Sequence, residues 1–220
     1  MSTLDKIARL YGTDKSSIMH NYAVKYEKYL PFNRYDTLTI MEIGILRGES
    51  LKVWKEYFYR SNIIGIDIDP ECKKNEEDRI FVEIGSQADG EFLSNVSKKY
   101  GTFDMILDDG SHMNSHQIYS FEQLFGSIKS GGVYVVEDST TSYWSDFEGG
   151  YLKEGATMEY FKKLTDDINF RGLEYDVNGR FHRYRNENEL IPFSLKEQPT
   201  CRVDIESINF LNGIIIITKR

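Results

Sequence analysis

The chain has 220 residues, 40% of them apolar and 28% charged, with a formal net charge of −8. That length corresponds to one domain with enough core to need no disulfide staple, and Cys72 and Cys201 show no metal-type spacing, so a cytoplasmic setting fits. The acidic balance and the lack of a long Lys/Arg run weigh against nucleic acid as partner. The start, MSTLDKIARLYGTDK, has no apolar signal core, and the aliphatic run 214–217 is too short to span a bilayer, so no membrane insertion is expected.

Apolar spacing of three to four predicts helices over 4–11 and 19–30, separated by the polar break at 11–15, YGTDK. TLTIMEIG (37–44) reads as a buried strand ending at glycine, followed by a helix over 49–59 with Leu51, Trp54 and Phe58 on one face. Strands are expected at 62–68, 79–84, 103–107 and 131–136, and helices at 91–99, 115–128 and 157–168. Such alternation implies parallel strands joined by right-handed crossovers. Residues 178–189 are polar and basic-rich, read as a hairpin or an insert. Two alternating segments, 202–210 and 213–219, flank Leu211-Asn212-Gly213, a hairpin turn signal. The expectation is an α/β fold with a mostly parallel seven-stranded sheet, a closing antiparallel hairpin and helices on both faces.

Two of these strands run into acidic pairs: Asp108-Asp109 in FDMILDDGSH and Glu137-Asp138 in GGVYVVEDSTTSYW. Parallel strands end together at the ligand-binding edge of an open sheet. Carboxylates gathered there repel one another unless a cation lies among them. Asp109, Glu137 and Asp138 are hard oxygen donors suited to Mg²⁺, Mn²⁺ or Ca²⁺ rather than Zn²⁺. The competing reading is that they cap helices or pair with Lys and Arg. His112, three residues beyond Asp109, is a candidate base with Asp109 beside it; a metal-ligand or packing role is open, and His116 has a weaker case.

The turn Glu42-Ile43-Gly44 opens toward a helix N-terminus that suits an anionic group, though a ligand-free turn explains it equally well. Its two glycines, Gly44 and Gly48, fall short of the dinucleotide fingerprint. Asp67, at the end of the second strand, is placed to accept ribose hydroxyls. Asp69 before Pro70 is placed to cap a helix or add a secondary contact. Ser86 and Gln87 follow the third strand, where a polar side chain can meet an adenine edge.

With these residues assembled, the chain resembles the S-adenosylmethionine-dependent, metal-dependent sugar O-methyltransferases: the mycinamicin and macrocin enzymes and the cephalosporin-hydroxylase-like proteins. The stretches that carry the likeness are YGTDK with His20 and Tyr22, MEIGILRGESLKVW, IIGIDIDP, FDMILDDGSHMNSHQIYSFEQLF and GGVYVVEDSTTSYW, spanning roughly 10 to 148. The resemblance implies a Rossmann-like class I methyltransferase and transfer of a methyl group to a sugar hydroxyl of a glycoside, polysaccharide precursor or natural product. Alternatives are a non-sugar vicinal diol or antibiotic nucleus, or a non-catalytic cofactor-binding protein. It also implies Mg²⁺ (or Mn²⁺) on Asp109, Glu137 and Asp138, and His112 as base. Tyr11, Thr13, Glu42, Gly44, Ser50, Asp67, Asp69, Gln87 and Asp108 are expected around the cofactor, and Tyr143 and Trp144 against the acceptor, although simple packing explains those two rings equally well. The single domain 1–220 would divide into a helical cofactor cover (1–36), a cofactor and metal core (37–148), an acceptor-binding insert (149–200) and the closing hairpin (201–220). Ser86 stands where the family often has an acid, and the additional N-terminal domain of some members is not expected. Self-association into a homo-oligomer is left open.

Overall fold

The computed structural model describes residues 2–169 and 204–220. The expected basic-rich segment 178–189 lies outside the described residues, as do most of the expected acceptor insert and the first residues of the expected strand at 202–210. Two helices, α1 (Thr3–Tyr11) and α2 (Tyr22–Tyr29), precede β1 (Thr39–Ile43), α3 (Glu49–Tyr57), β2 (Asn62–Asp67), β3 (Ile80–Ile84), α4 (Gly90–Tyr100), β4 (Phe103–Asp108), α5 (Asn114–Leu124), β5 (Ile128–Val136), α6 (Thr157–Asn169), β6 (Ile205–Leu211) and β7 (Ile214–Lys219). The strands form one seven-stranded sheet in the order β3-β2-β1-β4-β5-β7-β6. The first five pair in parallel, and β7 joins β5 and β6 antiparallel, so the expected architecture is the one that forms.

Side chains alternate across each strand, and here the alternation sorts the core into two layers. Ile40, Met105, Leu107, Val133 and Val135 pack with α1, α2 and α3 through Leu4, Tyr26, Leu51 and Trp54. Met41, Ile43, Ile106, Tyr134 and Val136 face α4, α5 and α6 through Leu93, Phe121 and Phe161. The same period-2 rule sorts the acids at and just beyond the strand ends. Glu42, Asp109 and Glu137 continue the first face, whereas Asp108 continues the second.

The largest departures from the sequence expectation lie at two places. The helix expected at 115–128 stops at Leu124 and passes through a short 3₁₀ turn, and β5 then begins at Ile128. Gly131, at φ +76°, lets the strand carry the irregularity that this early start requires. The helix expected from 19 starts only at Tyr22, because residues 12–21 form a folded loop. Asp5 of α1 anchors it, accepting from the Ser17 N–H and the Ser17 hydroxyl, both at 2.7 Å.

Candidate active site

The order reverses between β1 and β4, and at such a switch point the loops diverge and leave a crevice. Register brings the strand ends level, with Ile43 beside Ile66 and Asp108, and Asp108 beside Val136. The residues that follow, Gly44, Asp67, Asp109 and Glu137, therefore gather at one edge. Gly44 sits at φ +80°, and a Cβ there would lie 2.2 Å from the Asp109 carbonyl oxygen. Glycine is needed for both reasons, conformation and closeness.

Three neighbouring cavities open on this edge. The first, about 500 Å³, runs from the 12–15 loop along the Gly44 turn to Asp109, His112 and Asp138. The second, about 220 Å³, lies beyond Gly44 and Asp67 and is closed by Gly85, Ser86, Gln87 and His116. The third, about 460 Å³, shares Met19, His112 and Asp138 with the first and extends to Tyr22, Lys25, Trp144, Phe147 and Asn212.

Of the expected cofactor residues, Thr13, Gly44, Ser50, Asp67 and Asp69 line the first cavity, and Gln87 the second. Asp67 is committed to backbone: Oδ2 accepts from the N–H groups of Ile45 (2.9 Å) and Leu46 (3.1 Å), and Oδ1 from that of Asp69 (2.9 Å). Burial alone would raise its pKa, but these three donors hold it below the usual aspartate value. Asp69 caps the turn at Pro70, accepting from Glu71 N–H at 2.9 Å. Three expected cofactor residues, Tyr11, Asp108 and Glu42, line none of the three cavities. Tyr11 turns its hydroxyl to Glu56, at 2.8 Å. Asp108, facing α5, is buried and bound by Gln87, Ser120 and Tyr134. There it fixes Gln87, whose own carbonyl accepts from Ser111 N–H at 2.7 Å. Glu42 is buried behind the turn, 3.0 Å from Trp54 Nε1.

The expected metal set separates. Ligand atoms of Asp109, His112 and Asp138 lie within 4.8 Å of one another. Glu137, fully buried, stands outside that trio and turns to Lys15 Nζ (2.8 Å) and the Tyr26 hydroxyl (2.5 Å). Lys15 also contacts Asp109 Oδ2 and stands 3.4 Å from Glu42 Oε1. Burial works against its charge, but the three carboxylates keep its pKa well above the ordinary lysine value. One ammonium cannot compensate three anions. Burial raises Glu42 to about 7 despite Lys15, and burial with repulsion from Asp109 drives Glu137 well up. Tyr22 donates to Asp138 at 2.6 Å, and burial together with that carboxylate raises its own pKa.

The two carboxylates at the cavity wall, Asp109 and Asp138, suit a hard divalent ion, and the His112 imidazole stands beside them. His112 Nδ1 is buried without a hydrogen-bond partner, and Nε2 lies 3.7 Å from Asp138 Oδ2. His112 (φ +59°), Asp138 (φ +48°) and Leu46 (φ +47°) all carry left-handed backbone that L side chains avoid. Such strain costs on the order of 1–3 kcal/mol per residue and collects at functional sites. Trp144, 55% exposed, lines the third cavity and lies 6.0 Å from the Phe147 ring. Tyr143 is exposed and lines none of the three cavities.

Sequence reasoning passed over Lys15, Tyr22 and Tyr26 as individual site residues. Lys15 counted only as part of a covering segment, because a lysine in a polar stretch carries no local sign of burial. Tyr22 and Tyr26 are one turn apart on α2, and that spacing signals core packing as readily as a site.

No protein-family model matches the chain. It is 35% identical over 185 residues to the mycinamicin VI 2''-O-methyltransferase of Micromonospora griseorubida, covering 80% of this chain and 46% of that protein. It is 34% identical over 196 residues to the demethylmacrocin O-methyltransferase of Streptomyces fradiae, covering 84% and 49%. Among solved structures, the MycE methyltransferase of the mycinamycin pathway in complex with Mg and SAH superposes with a TM-score of 0.83 at 30% identity, covering 99% of this chain and 54% of that one. The chain thus spans about half the length of the curated relatives it matches, and its sheet is that of the class I methyltransferases. By sequence and by fold, it belongs to the family that contains these sugar O-methyltransferases.

Proposed function

We propose that this chain is an S-adenosylmethionine-dependent, divalent-metal-dependent O-methyltransferase whose acceptor is a sugar hydroxyl on a glycoside, polysaccharide precursor or natural product. One observation carries the reading: His112 and Asp138 stand on the wall shared by the first and third cavities. Two molecules held in those cavities meet at a carboxylate–imidazole group. The first cavity and its side pocket suit the cofactor, with the Gly44 turn and the α3 N-terminus against its charged end, Asp67 and Asp69 at the ribose, and Gln87 and Ser86 at the base. The third cavity suits the acceptor, where the exposed Trp144 ring can lie against a sugar face.

A divalent cation held by Asp109 and Asp138, with Glu137 behind them, would lower the pKa of a hydroxyl bound to it, and the cofactor's sulfonium would supply the methyl group. The chain's own part is positioning and proton transfer. His112 Nε2 faces the carboxylates while Nδ1 is enclosed, so proton uptake from the acceptor falls on Nε2. The two cavities hold nucleophile and methyl group in line, and that restriction supplies much of the rate.

The test is transfer of labelled methyl from S-adenosylmethionine to a panel of diol-bearing glycosides and nucleotide sugars, with Mg²⁺ and in excess chelator. His112→Ala should lower turnover by about 10²–10⁴-fold while S-adenosylhomocysteine still binds. Full activity in chelator would remove the metal from the proposal. Failure of every diol acceptor, together with no calorimetric binding of S-adenosylhomocysteine, would remove the activity.

A further inference from the structure

Four carboxylates meet at the switch point: Glu42, Asp109, Glu137 and Asp138. Lys15 forms ion pairs with Glu42, Asp109 and Glu137, and among the described residues no second Lys or Arg forms one with any of the four. The Lys15 side chain is 5% exposed. The backbone around it is tied on both sides. Lys15 N–H reaches Thr13 Oγ1 (3.4 Å), Lys15 C=O accepts from Ala23 N–H (2.8 Å), and Asp5 holds Ser17 two residues on. The aliphatic stem thus enters from a loop that α1 and α2 pin in place, and the ammonium arrives at a fixed point. That point lies between Asp109, on the cavity wall, and Glu137, behind it.

We propose that Lys15 is a positioning residue, a permanent cation supplied by the chain itself, whose ammonium holds Asp109 and Glu137 toward one another so that the carboxylate edge is assembled before any ligand arrives. The inference rests on the function proposed above only in treating Asp109 as part of the reacting site. Its physical basis is independent of turnover. Anions buried this close force one another apart or take up protons unless a positive charge is shared among them. A lysine kept only for packing would make the same contacts with its methylenes, and the charge would be dispensable.

Lys15→Met keeps the stem and removes the charge. Loss of one partner from a buried ion pair should lower the melting temperature by roughly 10 °C. Two further readouts separate charge from packing. Glu137→Gln should lower the melting temperature of the wild-type protein but raise that of K15M, because in the second background it removes a buried carboxyl left without its cation. About 1 mM Mn²⁺ should raise the melting temperature of K15M by roughly 5 °C more than that of wild type, and this excess should vanish in K15M/E137Q. If K15M does not fold, K15M/E137Q decides: its folding supports the proposal, and its failure to fold overturns it. Equal effects of E137Q in both backgrounds, or equal responses of K15M and wild type to Mn²⁺, would also overturn it. None of these measurements involves methyl transfer, so an inactive enzyme with these melting shifts leaves the role of Lys15 standing, and an active enzyme without them leaves only the methyltransferase reading.

Discussion

At the scale of single residues, the site is built from conformations and contacts that ordinary side chains resist. Gly44 is the clearest case. Alanine there would meet the Asp109 carbonyl and the Gly110 Cα at 2.2 and 2.7 Å, on a backbone at φ +80°. Left-handed strain and overpacking each cost about 1–3 kcal/mol. Gly44→Ala should therefore destabilise the protein by about 3 kcal/mol or more in denaturant unfolding and weaken S-adenosylhomocysteine binding measured by calorimetry. Asp67 sets the opposite face of the turn. Its carboxyl ionises more easily folded than unfolded, because three backbone donors outweigh its burial. A group of that kind adds stability above the unfolded aspartate value of about 3.9, and the contribution fades as pH falls through the lower folded value. The gap in melting temperature between wild type and Asp67→Asn should accordingly be widest near neutral pH and close below about pH 4. A gap that stays constant with pH would show that the carboxylate's charge is not what the turn uses.

At the scale of elements, one side chain ties the loop between α1 and α2 to the first helix. Asp5 is 1% exposed and accepts from Arg9 Nε (3.1 Å), from Ser17 N–H and from the Ser17 hydroxyl. Burial raises its pKa, but Ser17 and Arg9 prevail and hold it below the usual value. Asp5→Ala leaves these donors without their acceptor, at about 1–3 kcal/mol. Hydrogen exchange should speed at Ser17, Asn21 and Ala23, whose N–H groups bond to Asp5, Ser16 and Lys15, while β1 and β4 stay protected. Protection unchanged at these amides would mean that the loop is held by its contacts with the sheet instead. The helix expected to begin at residue 19 failed at this place. Apolar spacing registered Met19, Tyr22 and Tyr26, but the competing tertiary bonds of Asp5 were invisible in a one-dimensional pattern. The strands fared better, because most are short apolar runs closed by Gly, Asp or Asn, and a buried parallel strand has few other ways to look.

At the scale of the whole molecule, the sheet depends on its last hairpin. β7 covers the edge of β5 with four consecutive isoleucines, Ile214, Ile215, Ile216 and Ile217, all buried and divided between the two core layers. Without it, β5 would present an open, apolar edge beside the site. A carboxylate at Ile216 would sit unpaired among Val133, Val135 and α2, so Ile216→Asp should yield aggregated rather than soluble protein on expression. Among the described residues no helix is long and apolar enough to cross a membrane.

The amino-acid sequence by itself determined the α/β alternation, the closing hairpin at Asn212-Gly213, the glycine at the first turn and the two acidic pairs at strand ends, because each is written in neighbouring residues with a period or a turn chemistry of its own. Only the tertiary structure decided how those acids are shared out. Alternation across the sheet sends Asp108 toward α5 and Glu137 toward α2, the left-handed turns at His112 and Asp138 bring the imidazole and the outer carboxylates together, and a lysine from a distant loop enters among the anions. Charges far apart in the chain become partners only when the sheet sets their separation, and no local pattern records that distance.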